Sequence, residues 1–396
     1  MNYSRFITDD TYYVGASDRR LSLFENVFPI PKGVSYNSYV ITDEKTALLD
    51  LMDESVSKQG FENIAGVLNG RPLDYVIINH MEPDHCSKLD ELLLRYPQVK
   101  VVGNAKTLKM INQFYDLDMQ DRFVSVNEGD TLELGRHTLT FVNAPMVHWP
   151  EVMVTYDTLT KALFSADAFG TFGALGGNIF NDEYDFEYEF LEEARRYYTN
   201  IVGKYGVQVQ AVLKKASALD IKYICPLHGP VWRSNLDYII GKYDVWSRYE
   251  AESQSVMIAY ASMYGNTEST VNVLANVLAE KGVKDIRIYD VSKTDVSYVL
   301  SDAFKYKRLV FASPSYNGGL YPKMENLLLD LKAHSLKDRK VVVIENGTWA
   351  PSAKKTILSI LETMKVDIVN ADLTVKSSLK DSDMECIEKI AEDILA

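Results

Sequence analysis

Cysteine is scarce in this chain, which has only three among its 396 residues. None of the three stands in a CxxC pair, so the sequence predicts neither a disulfide scaffold nor an iron centre held by paired cysteines. This usage is typical of a reducing compartment, and we expect a cytoplasmic protein.

Long apolar runs and an excess of positive charge are also missing. No apolar stretch approaches the roughly 18 residues that a membrane-spanning helix needs. The N-terminal sequence MNYSRFITDD lacks the basic region and apolar core of a signal peptide. The formal net charge is −13, which argues against nucleic acid or an anionic membrane as a partner.

The length predicts two or three domains, because 396 residues are more than one hydrophobic core usually serves. Strands mixed with helices fill the first part, including a helical region at about 187–218, and predict an α/β fold with stacked sheets. The polar segment 250–255 lacks apolar periodicity and is the expected linker. We therefore predict one domain at 1–252 and a second at 253–396.

The second part has a different pattern, in which strands and helices alternate. This spacing predicts a doubly wound parallel sheet. Its strands are expected at 256–260, 286–290, 308–313, 341–345 and about 367–373.

Four potential metal ligands lie within six residues, in His80-Met81-Glu82-Pro83-Asp84-His85. They directly follow the apolar run 75–78, which has the pattern of a buried strand. They therefore belong to a loop at the strand's tip, where binding groups are usually carried. A solvated polar turn is the alternative, but two histidines and two carboxylates at this density are uncommon in such turns.

Three further residues of the same kind follow predicted strands: His148, Asp167 and His228. Each one alone is as readily explained by a capped turn or a buried, hydrogen-bonded histidine. Because all three share the placement of the first loop, we expect the seven residues to converge at one edge of a sheet.

Four histidines and three carboxylates suit a site for two metal ions. One ion could take His80, Glu82 and His148, and the other Asp84, His85 and His228, with Asp167 between them. Three carboxylates and a bridging hydroxide would balance two divalent ions, which avoids unpaired buried charge. Each ion would keep an open position for a small molecule.

Three loops of the second domain also follow predicted strands. The loop 262–267 precedes a helix expected at 268–281, and its backbone N–H groups, with Ser262, Asn266 and Thr267, can cradle a phosphate. Its single glycine excludes the dinucleotide fingerprint, and an ordinary capped turn is the alternative. The loops 313–319 and 345–350 combine an aromatic residue with glycine, so a flat ring could stack there while the backbone approaches closely.

The pattern H-x-E-x-D-H, followed by His in HWP, then Asp, then His, resembles that of the flavodiiron proteins. Their first domain has the metallo-β-lactamase-like αββα sandwich, and most hydrolases of that fold have histidine where this chain has Glu82. The three loops of the second domain resemble those of flavodoxin, which implies a flavodoxin-like FMN-binding domain. The resemblance covers nearly the whole chain.

The resemblance implies a bridged di-iron centre held by the seven residues, with Asp167 bridging, and FMN held by the three loops. The implied FMN-binding residues are Ser262, Met263, Tyr264, Gly265, Asn266, Thr267, Pro314, Ser315, Tyr316, Asn317, Gly318, Gly319, Asn346, Gly347, Thr348, Trp349 and Ala350.

As a flavodiiron oxidoreductase, the protein is expected to reduce O₂ to water, NO to N₂O, or both. Electrons would come through FMN from a donor protein such as rubredoxin. The chain ends at Ala396 without a paired CxxC, so we expect the donor to be a separate protein. A head-to-tail homodimer, or a tetramer of such dimers, is implied as well.

The remaining histidines, His137 and His334, are expected at the surface. Cys86 is expected to be a small buried thiol rather than a ligand. Trp149 and Trp349 are aromatic candidates near the two cofactors, and simple packing explains them equally well.

Two alternatives from other classes stay open at this point. One is a binuclear zinc hydrolase with a flavodoxin-like accessory domain, since the ligand set alone does not exclude zinc. The other is an electron carrier whose first domain is structural and metal-free, although burying seven convergent polar groups without a metal would be costly.

Overall fold

The computed structural model describes residues 4–369 and 373–396. The chain divides into two units, which are Met1–Tyr198 with Val207–Asp244 and Thr199–Gly206 with Val245–Ala396. The boundary between residues 252 and 253 stays a prediction, and nothing in the sequence signals that 199–206 belongs to the second unit.

A seven-stranded mixed sheet forms one layer of the first unit. In spatial order its strands are Arg5–Phe6, Thr11–Tyr13, Tyr39–Thr42, Thr46–Leu49, Tyr75–Ile77, Lys100–Gly103 and Phe123–Ser125. The last four run parallel, because helical crossovers join them. Their apolar residues, such as Leu48, Val76 and Val101, are fully buried, as expected for strands covered on both faces.

The second layer is a five-stranded sheet. Its strands are Thr131–Glu133, Thr138–Asn143, Met153–Asp157, Ala162–Phe164 and Tyr223–Cys225. Two short antiparallel strand pairs accompany the sheets. Ala16–Asp18 pairs with Val34–Tyr36, and the segment between them contains a hairpin of Leu23–Phe24 with Phe28–Pro29.

The helices before residue 250 are Ser57–Leu68, Pro83–Cys86, Leu89–Arg95, Ala105–Phe114, Phe186–Glu189, Leu191–Tyr197, Gly206–Ala216 and Leu236–Ser247. Asn104 caps the fourth, since its side chain accepts from the backbone N–H of Lys106 and Thr107.

The helical region predicted at about 187–218 is present but broken, with a π-helical turn at Tyr198–Val202 and a 3₁₀ turn at Gly203–Tyr205.

The second unit contains a parallel sheet of five main strands, with two further short strands paired to its third and fourth strands. Its main strands, in spatial order, are Arg287–Asp290, Ser253–Tyr260, Tyr306–Tyr316, Lys340–Asn346 and Asp367–Ile368. The order second, first, third, fourth, fifth is that of a doubly wound sheet, which confirms the predicted class. The strand predicted at about 367–373 runs into residues 370–372, which lie outside the described residues, and Thr374–Val375 forms a separate short strand.

Helices cover both faces of this sheet. Val299, Met324 and Ile357 belong to the core on one face, where the helices Val296–Lys305, Pro322–Ala333 and Ala353–Leu361 lie. Leu274 and Ile390 belong to the core on the other face, where the helices are Asn266–Glu280 and Met384–Leu395. In the described part of the chain, no helix combines the length and apolar character that a membrane crossing requires.

Candidate metal centre and cofactor cavity

A buried carboxylate anchors the first ligand loop where it leaves the strand Tyr75–Ile77. Asp50 accepts hydrogen bonds from the backbone N–H of Asn79 at 2.7 Å and of His80 at 3.1 Å, and from the Asn79 side chain at 2.8 Å. Pro83 then opens a short helix, Pro83–Cys86, as its fixed φ favours. The loop therefore leaves the sheet along one defined path.

Asp167 and His228 follow two strands that are hydrogen-bonded in parallel. Phe164 pairs with Cys225 in the register of those strands, and each ligand candidate lies three residues further along the chain. The side chain of Asn37 donates to the carbonyls of Pro226 and Gly229, both at 2.8 Å. These bonds hold the loop that carries His228.

The structure brings all seven predicted residues together as two adjoining groups. In the first group, His148 Nε2 lies 3.0 Å from Glu82 Oε2 and 3.4 Å from His80 Nε2. His80 Nε2 lies 3.2 Å from Glu82 Oε2. In the second group, Asp84 Oδ2 lies 3.3 Å from His85 Nε2 and 3.4 Å from His228 Nε2.

Asp167 lies between the two groups and turns one oxygen to each. Its Oδ2 is 3.3 Å from His80 Nε2 and 3.2 Å from His148 Nε2. Its Oδ1 is 3.2 Å from His85 Nε2 and 3.6 Å from His228 Nε2. A carboxylate in this position can bridge two ions.

The donor atoms fit two metal ions. Metal–nitrogen bonds of about 2.0–2.1 Å place neighbouring ligand atoms about 3.0–3.4 Å apart, which is close to the separations observed. Several of these atoms are buried without any hydrogen-bond partner among the described residues: both oxygens of Asp84, Asp167 Oδ1, and Nε2 of His85 and His228. Unpartnered buried polar atoms are costly, and a metal ion would satisfy them.

The carboxylates and imidazoles of this cluster shift one another's ionisation. Burial opposes the charge of Asp167, but the imidazoles of His85 and His80 outweigh it and hold its pKa well below the usual range. Burial likewise lowers the pKa of His148, but hydrogen bonds to Asp167 and Glu82 raise it to about 9. Metal binding must therefore displace protons from this cluster.

Two carboxylates beside the cluster have no signal in the sequence. Glu151 accepts from His80 Nδ1 at 2.8 Å. Glu25, at the tip of a hairpin, directs its carboxyl group towards Glu82, and partial burial together with the charge of Glu82 raises its pKa to about 8. In the sequence, a single acidic residue after a proline or in a hairpin turn has the pattern of an ordinary solvent-exposed side chain, and its place beside the site becomes visible only in the folded chain.

The predictions for the two remaining histidines and for Cys86 have mixed outcomes. The surface position expected for His137 is wrong, because its ring is fully buried and lies 2.8 Å from Asp157 and 3.0 Å from Asp10. His334 is half-buried. Cys86 is a buried free thiol as expected, and its Sγ donates to the Met81 carbonyl.

A cavity of about 270 Å³ lies at the carboxyl ends of the second unit's strands. Most of the predicted cofactor residues line it, namely Ser262, Met263, Tyr264, Asn266, Thr267, Pro314, Ser315, Asn317, Gly318, Asn346, Gly347, Thr348, Trp349 and Ala350. Gly265, Tyr316 and Gly319 do not line it but belong to the same loops. Ser377 lines it without having been predicted.

The backbone of this cavity suits a phosphate and a flat ring. The helix Asn266–Glu280 starts at its edge, and free N–H groups at a helix N-terminus attract anions. Gly265 has φ 88° directly before that helix, a conformation that favours glycine. Asn317 and Gly318 also have positive φ, at 49° and 73°, which turns the chain sharply between Tyr316 and Gly319.

Two family models match the chain, one for each region described above. Residues 34–229 match the ODP family beta lactamase model. Residues 258–390 match the Flavodoxin model.

Relatives match over almost the whole length. The anaerobic nitric oxide reductase flavorubredoxin of Aeromonas hydrophila is 30% identical over 380 residues, which cover 94% of this chain and 74% of that protein. An uncharacterized protein of Methanocaldococcus jannaschii is 31% identical over 384 residues, which cover 96% of each chain.

Solved structures match in the same way. The rubredoxin oxygen:oxidoreductase of Desulfovibrio gigas has a TM-score of 0.93 at 27% identity, covering 99% of this chain and 98% of that one. The flavodiiron protein of Giardia intestinalis has a TM-score of 0.92 at 26% identity, covering 99% and 96%. The metallo-β-lactamase-like and flavodoxin-like fold predictions are therefore confirmed, and the chain belongs to the flavodiiron family of oxidoreductases, which combine an FMN-binding flavodoxin-like domain with a di-iron centre.

Proposed function

We propose that this protein reduces O₂ to water, NO to N₂O, or both, at two irons held by His80, Glu82, Asp84, His85, His148, Asp167 and His228. The observation that carries the proposal is the convergence of these side chains around buried donor atoms that lack other partners. When bound, the irons would supply electrons and open coordination positions for a small gas molecule.

The surrounding residues would orient the ligands and exclude bulk water. Asp50 fixes the loop of His80, and Asn37 fixes the loop of His228. Trp149 packs against the first group, with its ring centroid 5.4 Å from that of His80. In the second unit, the cavity loops would hold FMN, with its phosphate at the helix that begins at Asn266.

The test of this proposal is turnover by the fully reduced holoenzyme, mixed without air with O₂ or NO in separate runs. Rapid O₂ consumption without hydrogen peroxide would indicate four-electron reduction at the irons, and N₂O formation would indicate NO reduction. Peroxide alone, with no NO consumed, would overturn the proposal, because reduced flavin by itself releases peroxide.

We further propose a rubredoxin-type protein as the electron donor. The Aeromonas relative is a flavorubredoxin and the Desulfovibrio structure is a rubredoxin oxygen:oxidoreductase, which supports this choice. Stopped-flow reduction of the bound FMN by reduced rubredoxin should be much faster than by a ferredoxin at equal concentration. Equal rates for the two donors would contradict the proposal.

A head-to-tail homodimer is proposed as the working form. Trp349 and Tyr264 border the flavin cavity with 91% and 90% of their surfaces exposed. Exposed aromatic surface at a functional site is typical of a protein contact. Such a contact could bring the flavin of one protomer to the irons of its partner.

Mixed subunits would test this arrangement. Asp167→Ala should remove the irons, and Gly265→Val should remove FMN, so each variant alone should be inactive. If electrons cross between protomers, co-refolding the two variants should restore part of the activity. No recovery in a mixture shown to contain heterodimers would overturn the head-to-tail proposal.

A further inference from the structure

The two proposed metal positions differ in the group that accepts a hydrogen bond from the Nδ1 atom of a histidine, His80 in one position and His228 in the other. His80 Nδ1 lies 2.8 Å from Glu151 Oε1, which is a carboxylate oxygen. His228 Nδ1 lies 2.8 Å from the carbonyl oxygen of Ser35. Since both oxygens accept, both Nδ1 atoms carry the proton and leave Nε2 free for a metal. The first acceptor is anionic and the second is neutral.

Hydrogen bonds from two other parts of the first unit hold Glu151 in place. Its side chain is fully buried, and Oε1 also accepts from the backbone N–H of Met81 at 2.9 Å. Its own carbonyl accepts from the side chain of Asn104 at 2.6 Å. Its other oxygen, Oε2, has no hydrogen-bond partner among the described residues. Among those residues, His80 is the one ionisable partner within ion-pair distance.

A buried carboxylate with one unsatisfied oxygen is expensive to keep. Here Oε1 accepts from one imidazole, that of His80, and from one backbone N–H, that of Met81. An anionic acceptor draws the Nδ1 proton away and makes the opposite nitrogen a stronger electron donor. A carbonyl has a weaker effect of the same kind.

We propose that Glu151 is a positioning residue that makes the two irons unequal, so that the iron held by His80, Glu82 and His148 binds more tightly and is the harder of the two to reduce. This inference rests on the ligand assignment proposed above. It adds an order to the site: under partial reduction, the iron held by Asp84, His85 and His228 would take the first electron.

The experiment compares the wild type with Glu151→Gln, which keeps the shape and removes the charge. Apo full-length protein is titrated with Fe²⁺ without air against a chromophoric chelator. The reloaded protein is then reduced stepwise, and the mixed-valent state is followed by electron paramagnetic resonance. Loss of such an outer carboxylate typically weakens metal binding 10–100-fold, and we expect that loss in one of the two binding steps only. The range of potential over which the mixed-valent state exists should narrow.

Asp157→Asn is the matched control. Asp157 is a fully buried carboxylate that lies 2.8 Å from the Nδ1 of a buried histidine, His137, and it belongs to none of the predicted ligand groups. It should leave both iron-binding steps and the mixed-valent range unchanged. Glu151→Asp, which retains the charge, should preserve the order of the two steps even if Glu151→Gln does not fold.

The outcomes separate this inference from the proposed function. A wild type that binds fewer than two irons would overturn the ligand assignment itself. A wild type with two equal binding steps would overturn only the inequality proposed here. So would a folded Glu151→Gln that matches the wild type or weakens both steps equally, or a folded Glu151→Asp that loses the order.

Discussion

At the scale of single residues, both proposed metal positions depend on Asp167. Its Oδ2 faces His80 and His148, and its Oδ1 faces His85 and His228. We expect Asp167→Asn to weaken the binding of both irons, because one uncharged amide oxygen cannot bridge two cations. His228→Gln should weaken mainly the binding of the iron in its own group. Metal analysis after equilibration with a chelator would measure iron per chain.

FMN content provides the control for that comparison, since neither substitution touches the second unit. Asp167→Asn with one iron still bound as tightly as in the wild type would contradict a bridging role.

The sequence predicts the seven ligand candidates but not their surroundings. Histidine and carboxylate residues are individually common, and their density in 80–85 at the end of a strand is what makes them informative. Glu151 and Glu25 have no such context in the sequence. His137 looks like a polar turn residue because it follows Gly135 and Arg136, yet long-range partners at Asp10 and Asp157 bury it.

At the scale of elements, His137 joins segments that are distant in the sequence. Its ring contacts Asp10 and Asp157, and its backbone N–H donates to Asp43 at 2.7 Å. Arg136 also pairs with Asp10 at 2.7 Å. Burial lowers the pKa of His137, but the contacts of its ring with the carboxylates of Asp157 and Asp10 outweigh this effect, and the pKa is raised above its ordinary value of 6.5.

A raised pKa in the folded state gives stability that is present below pH 6.5 and lost as pH rises through the folded-state pKa. His137→Gln should therefore lower the free energy of unfolding by about 3 kcal/mol at low pH. The difference between wild type and variant should become smaller in alkaline buffer. Urea unfolding of wild type and variant across this range would measure it. A cost that grows with pH would show that the imidazole is neutral in the fold.

Gly265 controls the start of the helix Asn266–Glu280. An alanine at φ 88° is strained by about 1–2 kcal/mol, so the loop should relax away from the geometry that binds phosphate. We expect Gly265→Ala to weaken FMN binding by roughly tenfold, since 1.4 kcal/mol corresponds to that factor. Fluorescence titration of apo protein with FMN would measure it.

Gly241 offers the matched control. It lies inside the helix Leu236–Ser247 with no atom within 4 Å of an added Cβ. Gly241→Ala should be neutral or slightly stabilising, because alanine is the better helix former. If both variants bind FMN like the wild type, the backbone at Gly265 has no part in binding.

Element boundaries are predictable where the local pattern is strong. The strand predicted at 341–345 is a continuous apolar run and appears as Lys340–Asn346, and the helix predicted at 268–281 appears as Asn266–Glu280. The helical region around 198–206 breaks into π and 3₁₀ turns, and residues 199–206 belong to the second unit. Such a change depends on tertiary packing, which local sequence does not encode.

At the scale of the whole molecule, each unit has its own core and its own cofactor. A ligand stabilises the structure that binds it, by about 2.7 kcal/mol at a hundredfold excess over Kd. Calorimetry should therefore show two unfolding transitions. Removal of iron should lower the midpoint temperature of one transition, and removal of FMN should lower that of the other. A single transition whose midpoint temperature falls with both treatments would show that the units unfold together.

The spread of the proposed ligands along the chain has a consequence for synthesis. His80, Glu82, Asp84 and His85 leave the ribosome well before His148, Asp167 and His228. A nascent chain thus presents a partial chelating loop while the second sheet is still missing. Nitrogen and oxygen donors of that kind hold Cu²⁺ and Zn²⁺ more strongly than Fe²⁺. If His228 completes the proposed site, we expect correct metallation to depend on the metals available in the cell when this residue is added to the chain.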